Sequence, residues 1–235
     1  MLRFLPWRSH GVASSALGTR SALRYRAEEH AMIPLWFKSA YLAFVAVLVP
    51  AYTVEHGLVN FLWLSNVALL GGLLAAWFES PRLASMLLVA VLLPELAWIL
   101  DFLASLVLLG RSLFGVVEYM YNPEIALFVR LLSLYHLLLP FVLLWLVWRL
   151  GYDRGAWKLW IPIGLSILLL SFLLSSPERN VNWVWGPGGE PQEWMSPQAW
   201  LIAVMLFCSA LWWVTQMLLG HVLRRVAGPV PPRMR

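Results

Sequence analysis

Ionisable side chains inside long apolar runs are costly, and they mark where such a chain can hold charge or move a proton. Four of them fall in two consecutive runs of this sequence: Glu95 and Asp101 in one, Arg130 and His136 in the next. If the two runs are antiparallel helices joined by a short loop, residues at equal depth have a constant sum of numbers. Asp101 with Arg130 and Glu95 with His136 share that sum. At the helical rise per residue, the first pair sits about 9–12 Å below the loop end and the second about 18–21 Å below it. In each helix the two members lie within a wedge of about 120°, so both can face inward. Two acids then meet two bases at matching levels, a setting for ion pairing and for acid–base chemistry.

The run before these adds Asn60, Ser65 and Asn66, with Glu55 and His56 at its rim. Ser65 should lie at a depth between the two charge pairs. A serine hydroxyl is inert at its own pKa and needs a base within hydrogen-bond reach. The expected constellation is therefore Ser65 as nucleophile, His136 as general base and Glu95 orienting the imidazole. Asn66 or Arg130 would stabilise an oxyanion, and Asp101, Asn60 and His56 would complete a polar lining for substrate. Prolines point to the same level. Pro140 cannot donate to the carbonyl of His136, nor Pro94 to that of Ala90, so each leaves an acceptor that water or a neighbour must satisfy. The same residues also have a purely structural reading: an interhelical ion pair at Asp101–Arg130, close helix approach at Ser65 and Asn66, and a hydrogen-bonded core histidine.

Two stretches carry a resemblance. Trp63-Leu64-Ser65-Asn66-Val67-Ala68-Leu69 on an early run and Leu134-Tyr135-His136-Leu137-Leu138-Leu139-Pro140 on a later one resemble the androgen-dependent TFPI-regulating protein family. The resemblance implies a multi-span hydrolase of fatty acid esters of hydroxy fatty acids that uses a Thr–His pair on separate helices. Ser65 stands where that family has threonine, and Glu95, Asp101 and Arg130 have no counterpart in its pattern.

The elements that must position these residues follow from composition. Hydrophobic residues make up 61% of the chain and charged residues 12%. Soluble domains carry about a quarter charged residues, so bilayer is the solvent that suits this chain. Six apolar runs, at 35–54, 58–78, 82–109, 124–149, 157–175 and 197–220, each approach the length of one crossing. The fold expected is an all-α membrane bundle of about six transmembrane helices over residues 34–222. Ser80-Pro81, Asn122-Pro123 and Ser196-Pro197 look like helix starts, because a capping side chain satisfies a free N–H and proline at the first position loses no bond.

Of the 17 Lys and Arg residues, 14 fall on the side of the termini, Arg111 and Arg179 on the other, and Arg130 inside a run. That asymmetry predicts cytoplasmic termini. The basic residues thus read as topology signals rather than as a nucleic-acid surface. Residues 1–33 are basic and resemble a transit peptide, but a disordered tail or an unused upstream start before Met32 is the expectation. A second basic tail covers 223–235. The Trp-rich loop 175–196 is a candidate lid or contact surface for a protein partner.

No internal repeat is visible, and no cofactor is expected. Cys208 is the single cysteine, which excludes an internal disulfide. His56, His136 and His221 lie at different depths, so no two can share one haem iron. A metal held by Glu55, His56, Asp101 and His136 lacks a ligand spacing. The function expected is an intramembrane lipid hydrolase or acyl transferase acting on membrane lipid. The alternatives are an accessory subunit of a membrane complex, or a proton- or solute-conducting protein using Glu95 and His136. The expected location is a bacterial inner membrane.

Overall fold

The computed structural model describes residues 33–226 apart from 189, with side chains through 222. The basic segment 1–32 and the end of the basic tail lie outside the described residues. The described chain is helical, without strands. Its elements are α1 (Leu35–His56), a 3-10 turn (Leu58–Leu62), α2 (Leu64–Trp77), α3 (Pro81–Val107), a 3-10 turn (Glu118–Tyr121), α4 (Leu127–Leu132), α5 (Tyr135–Leu150), α6 (Ala156–Leu174), a 3-10 turn (Val181–Trp183) and α7 (Pro197–Val226).

Five helical stretches are long and apolar enough to cross a membrane: α1, α3, α4 with α5, α6 and α7. The chain is a polytopic membrane bundle. Large apolar side chains such as Leu138, Phe141, Leu173 and Phe207 stand exposed on its outside, as they must where the surrounding solvent is hydrocarbon.

The second run departs from expectation. Residues 58–78 do not form one helix: a 3-10 turn leads into a helix of only 14 residues. The break is made by Asn182. Its amide donates to the Leu62 carbonyl at 2.7 Å, and its carbonyl accepts from the Leu64 N–H at 3.0 Å. One distant side chain supplies both bonds that an unbroken helix would have made internally at this point.

Two of the three cap–proline signals start helices. Ser80 accepts from Leu83 N ahead of α3, and Ser196 accepts from Ala199 N ahead of α7. Asn122 instead closes a turn onto the Glu124 N–H. The helix begins only at Leu127 and is interrupted again at Ser133–Leu134.

α3 is the central element, packed by α2, α5, α6 and α7. Every residue from Ala84 to Leu92 is buried, the pattern of a helix that is apolar all round. In lipid the drive for this packing is close fit and interhelical hydrogen bonding rather than removal of apolar surface from water. Both are visible. Gly164 on α6 lets the Trp212 ring of α7 lie directly on its backbone. The Trp212 indole then donates to the Ala90 carbonyl at 3.1 Å. That is the carbonyl Pro94 leaves free, so a neighbouring helix satisfies it and no cavity is required. On the other side of the bundle the Tyr41 hydroxyl of α1 donates to the Leu69 carbonyl of α2 at 2.7 Å. It does so across Gly72, where a Cβ would come within 2.6 Å of that hydroxyl.

Candidate functional site

The half of α3 beyond Pro94 is exposed along one side, at Leu96, Leu100, Leu103 and Leu106. The opposite side carries Glu95, Trp98, Asp101 and Ser105, all buried. Spacings of three, three and four residues put them on one helical stripe. The chain leaving α3 turns back over that stripe through Leu109 and Gly110, both at positive φ, and residues 108–121 form a strap along it.

Asp101 fixes the strap. Its carboxylate accepts from the Ser112 hydroxyl at 2.5 Å, from Leu113 N at 2.5 Å and from Phe114 N and Val116 N at 3.1 Å each. Ser105 lies 2.7 Å from the Tyr121 hydroxyl. Arg130, on α4, donates to the Met120 carbonyl at 3.0 Å. The expected Asp101–Arg130 ion pair is therefore not formed. The segment between the helices is not a simple connector: backbone N–H groups of the strap saturate the carboxylate, and the guanidinium takes a strap carbonyl instead. Both residues hold the strap.

The deeper pair meets. Glu95 Oε2 lies 2.8 Å from His136 Nδ1, with Glu95 buried and the His136 side chain 13% exposed. The antiparallel register holds here because α5 runs unbroken along α3, whereas Arg130 lies beyond the interruption at Ser133–Leu134. The imidazole is clamped between aromatic rings, with Trp98 stacked at 4.8 Å and Tyr135 at 4.1 Å between centroids. With Nδ1 given to Glu95, Nε2 is the ring nitrogen left for a ligand, and among the described residues it has no hydrogen-bond partner.

Around this dyad the polar groups form one cluster. The Tyr135 hydroxyl donates to Asn66 Oδ1 at 2.8 Å, and the Asn66 amide donates to the Asn60 carbonyl at 2.8 Å. Asn60 thus enters through its backbone. Ser65, half-buried at the second residue of α2, lies beside the Tyr135 phenol. Among the described residues no hydrogen bond joins it to His136, whose ring stacks on that of Tyr135. His56 stays at the rim. Its ring meets Tyr52 edge-on at 5.3 Å, and its carbonyl accepts from Arg179 at 3.1 Å.

Sequence reasoning missed four members: Tyr52, Tyr119, Tyr135 and Trp98. The Tyr52 hydroxyl is 2.6 Å from the Ser133 hydroxyl. Tyr119, carried by the strap, lies beside both Ser133 and Trp98, and burial pushes its phenol well above the usual tyrosine range. The available signal was position. Tyr135 adjoins His136, and Trp98 follows Glu95 by three residues, so both had to share the dyad's surroundings.

The loop 175–196 is held by its asparagines. Asn180, at positive φ, donates to the carbonyls of Gly186 and Gly188 and accepts from Trp185 N. Asn182, besides splitting the second run, donates to Ser171. The loop therefore packs on the start of α2, close to Ser65. Among the described residues no group of three His, Cys, Asp or Glu side chains could hold a metal ion. Comparison with family models, with curated proteins and with solved structures gives no match.

Proposed function

We propose that this chain is an intramembrane lipid hydrolase or acyl transferase whose general base is His136, oriented by Glu95. The observation that carries this reading is the 2.8 Å contact between Glu95 Oε2 and His136 Nδ1. It leaves the second ring nitrogen to take a proton, which is how an acid orients a histidine for proton abstraction. Ser65 is the nucleophile in this reading, since it and His136 flank one phenol, that of Tyr135. Its oxygen adds to an ester carbonyl as its proton passes to His136 Nε2. The intermediate expels the alcohol, which takes that proton, and water then releases the carboxylic acid from the serine by the same route. Lipids supply the substrate class, because an ester at this depth is reached from hydrocarbon.

The test is labelling of the purified protein in detergent by lipid-like fluorophosphonates of several chain lengths. Labelling is expected in the parent, lost in Ser65→Ala and steeply reduced in His136→Ala. A parent that no probe labels would overturn the hydrolase reading, and labelling that persists in Ser65→Ala would move the nucleophile elsewhere.

One observation favours a proton relay instead. The paired hydroxyls of Tyr52 and Ser133, with Tyr119 beside them, extend from the dyad as a run of exchangeable protons. Under that reading, proton flux in liposomes survives Ser65→Ala and stops in Glu95→Gln.

A further inference from the structure

At the end of the bundle opposite the strap, the loop 151–155 joins α5 to α6, and its middle is tied down. The Asp153 carboxylate accepts from Arg82 Nε at 3.1 Å and from the Gly155 N–H at 2.8 Å, while its own N–H donates to Ser85. Gln216 of α7 is 5% exposed. Its side chain accepts from the Tyr152 hydroxyl and donates to the Arg154 carbonyl at 3.2 Å. One buried carboxamide thus clamps the residues on either side of Asp153.

Against this clamp lies a partly open cavity of about 150 Å³, lined by Arg154, Gln216, Met217 and Gly220. It is short of negative charge. Lys38 pairs with Glu79 and Arg82 with Asp153. Among the described residues Arg154 has no ion pair and no side-chain hydrogen bond, and neither has Lys158, four residues on. Asp153, the acid next to Arg154 in sequence, is spent on Arg82 and Gly155. Segment 223–235 contains four arginines and no acid, so it brings no counter-charge. Gln216 also keeps a second amide N–H besides the one given to Arg154.

Beyond the cavity, toward the middle of α7, the exposed face is apolar. Leu206, Ala210, Trp213 and Met217 are all exposed, and spacings of four, three and four residues put them on one stripe. In a spanning helix such a stripe faces hydrocarbon. It ends in the cavity at Met217. A ligand that matches both parts has an anionic group joined to a long apolar chain.

We infer that this cavity binds an anionic phospholipid from the leaflet at this end, with Arg154 on the phosphate, Gln216 as a second donor and an acyl chain along the α7 stripe. A guanidinium suits the task because its fork of N–H groups matches phosphate oxygens. The clamp holds the loop in place beforehand, which lowers the ordering cost of binding. The surplus of cations disfavours a headgroup that carries a positive charge of its own. The site shares no residue with the Glu95–His136 dyad and does not depend on the hydrolase reading.

The test titrates dioleoyl phosphatidylglycerol and dioleoyl phosphatidylcholine separately into the full chain in neutral detergent, with bound lipid followed by native mass spectrometry. Phosphatidylglycerol should bind more tightly. Arg154→Gln should weaken it about tenfold, the worth of a charge-assisted hydrogen bond. Arg111→Gln, the same change of charge at the other end, should leave it unaltered. Met217→Trp fills the cavity and keeps every charge, so it should weaken phosphatidylglycerol as well. Equal affinity for the two lipids would overturn the proposal, as would an Arg111→Gln loss equal to that of Arg154→Gln. Binding untouched by Met217→Trp would mean that charge at the surface, not the cavity, holds the lipid. Glycerol 3-phosphate carries the phosphate without a chain and should not displace the lipid at equal concentration. Displacement by it would make this a site for soluble phosphates and sink the lipid assignment.

Discussion

Asp101 shows how a residue can be placed correctly and given the wrong partner. Its burial inside an apolar run demanded compensation, and the nearest cation in the antiparallel register was Arg130. The structure compensates it with three backbone N–H groups and one hydroxyl instead. For a buried carboxylate that costs less than desolvating a second charge beside it. The two readings separate cleanly in a mutant cycle. An ion pair predicts that Arg130→Leu strands a charge and that adding Asp101→Asn restores stability. The strap geometry predicts no rescue. Asp101→Asn should cost about 3 kcal/mol, since charge-assisted bonds contribute about 1.5–3 kcal/mol each and an amide keeps some of them. The double variant should be no more stable than Asp101→Asn alone. Thermal unfolding of the three variants in detergent measures this, and a double variant that recovers stability would mean that the two side chains do meet. Glu95 and His136 need no such correction. There the register placed two residues level, and the side chains meet.

The elements were legible in the sequence wherever local chemistry decides them. The starts of α3 and α7 follow from serine caps ahead of proline, and the free carbonyl of Ala90 follows from Pro94 alone. The elements that escaped were decided from far away. The split between the 58–62 turn and α2 depends on Asn182, 118 residues from Leu64. The strap depends on Asp101 and Arg130 capturing backbone groups of a segment that by composition reads as a loop. No local propensity encodes either, so a period-and-length reading extends a helix through Trp63 and leaves 109–124 as a connector. What satisfies the Ala90 carbonyl was likewise invisible, because Trp212 lies 122 residues away. That contact gives a test at this scale. Gly164→Ala places a methyl where the Trp212 ring now lies, so the ring must move and the indole must leave Ala90. Overpacking of this kind costs about 1–3 kcal/mol. Trp212→Phe, which removes the donor and trims the ring, should make Gly164→Ala cheaper. Melting temperatures of the two single variants and the double should therefore be non-additive, and strict additivity would show that Gly164 and Trp212 do not share the contact.

At the scale of the molecule, the polar contacts outside the candidate site sort to two ends. At one end Lys38 pairs with Glu79 at 2.7 Å, Arg82 with Asp153 at 3.1 Å, and Gln216 binds Tyr152 and the Arg154 carbonyl. At the other end Arg179 meets His56, Asn182 binds the chain around Trp63, and the strap lies over α3. Consecutive loops thus alternate between ends, which is what an antiparallel bundle requires. The cations divide the same way, with Lys38, Arg82, Arg154 and Lys158 at the first end and Arg111 and Arg179 at the second. Positive charge near helix ends resists translocation, so the first end should face the cytoplasm. The short α2 makes this worth measuring. Its 14 residues span about 21 Å at the helical rise, against a hydrocarbon core of about 30 Å, so the 58–62 turn has to complete the crossing. Topology reporters fused after Arg111 and after Gly188 should therefore read outside, and those after Arg82, Arg154 and Arg235 inside. A further pair brackets the short helix, with a fusion after Gly57 outside and one after Phe78 inside. If the Gly57 and Phe78 fusions read the same side, α2 does not cross and every later loop would be inverted relative to the charge asymmetry. An inside signal at Gly188 would show the same inversion independently. The dyad of Glu95 and His136 would then open toward the opposite leaflet.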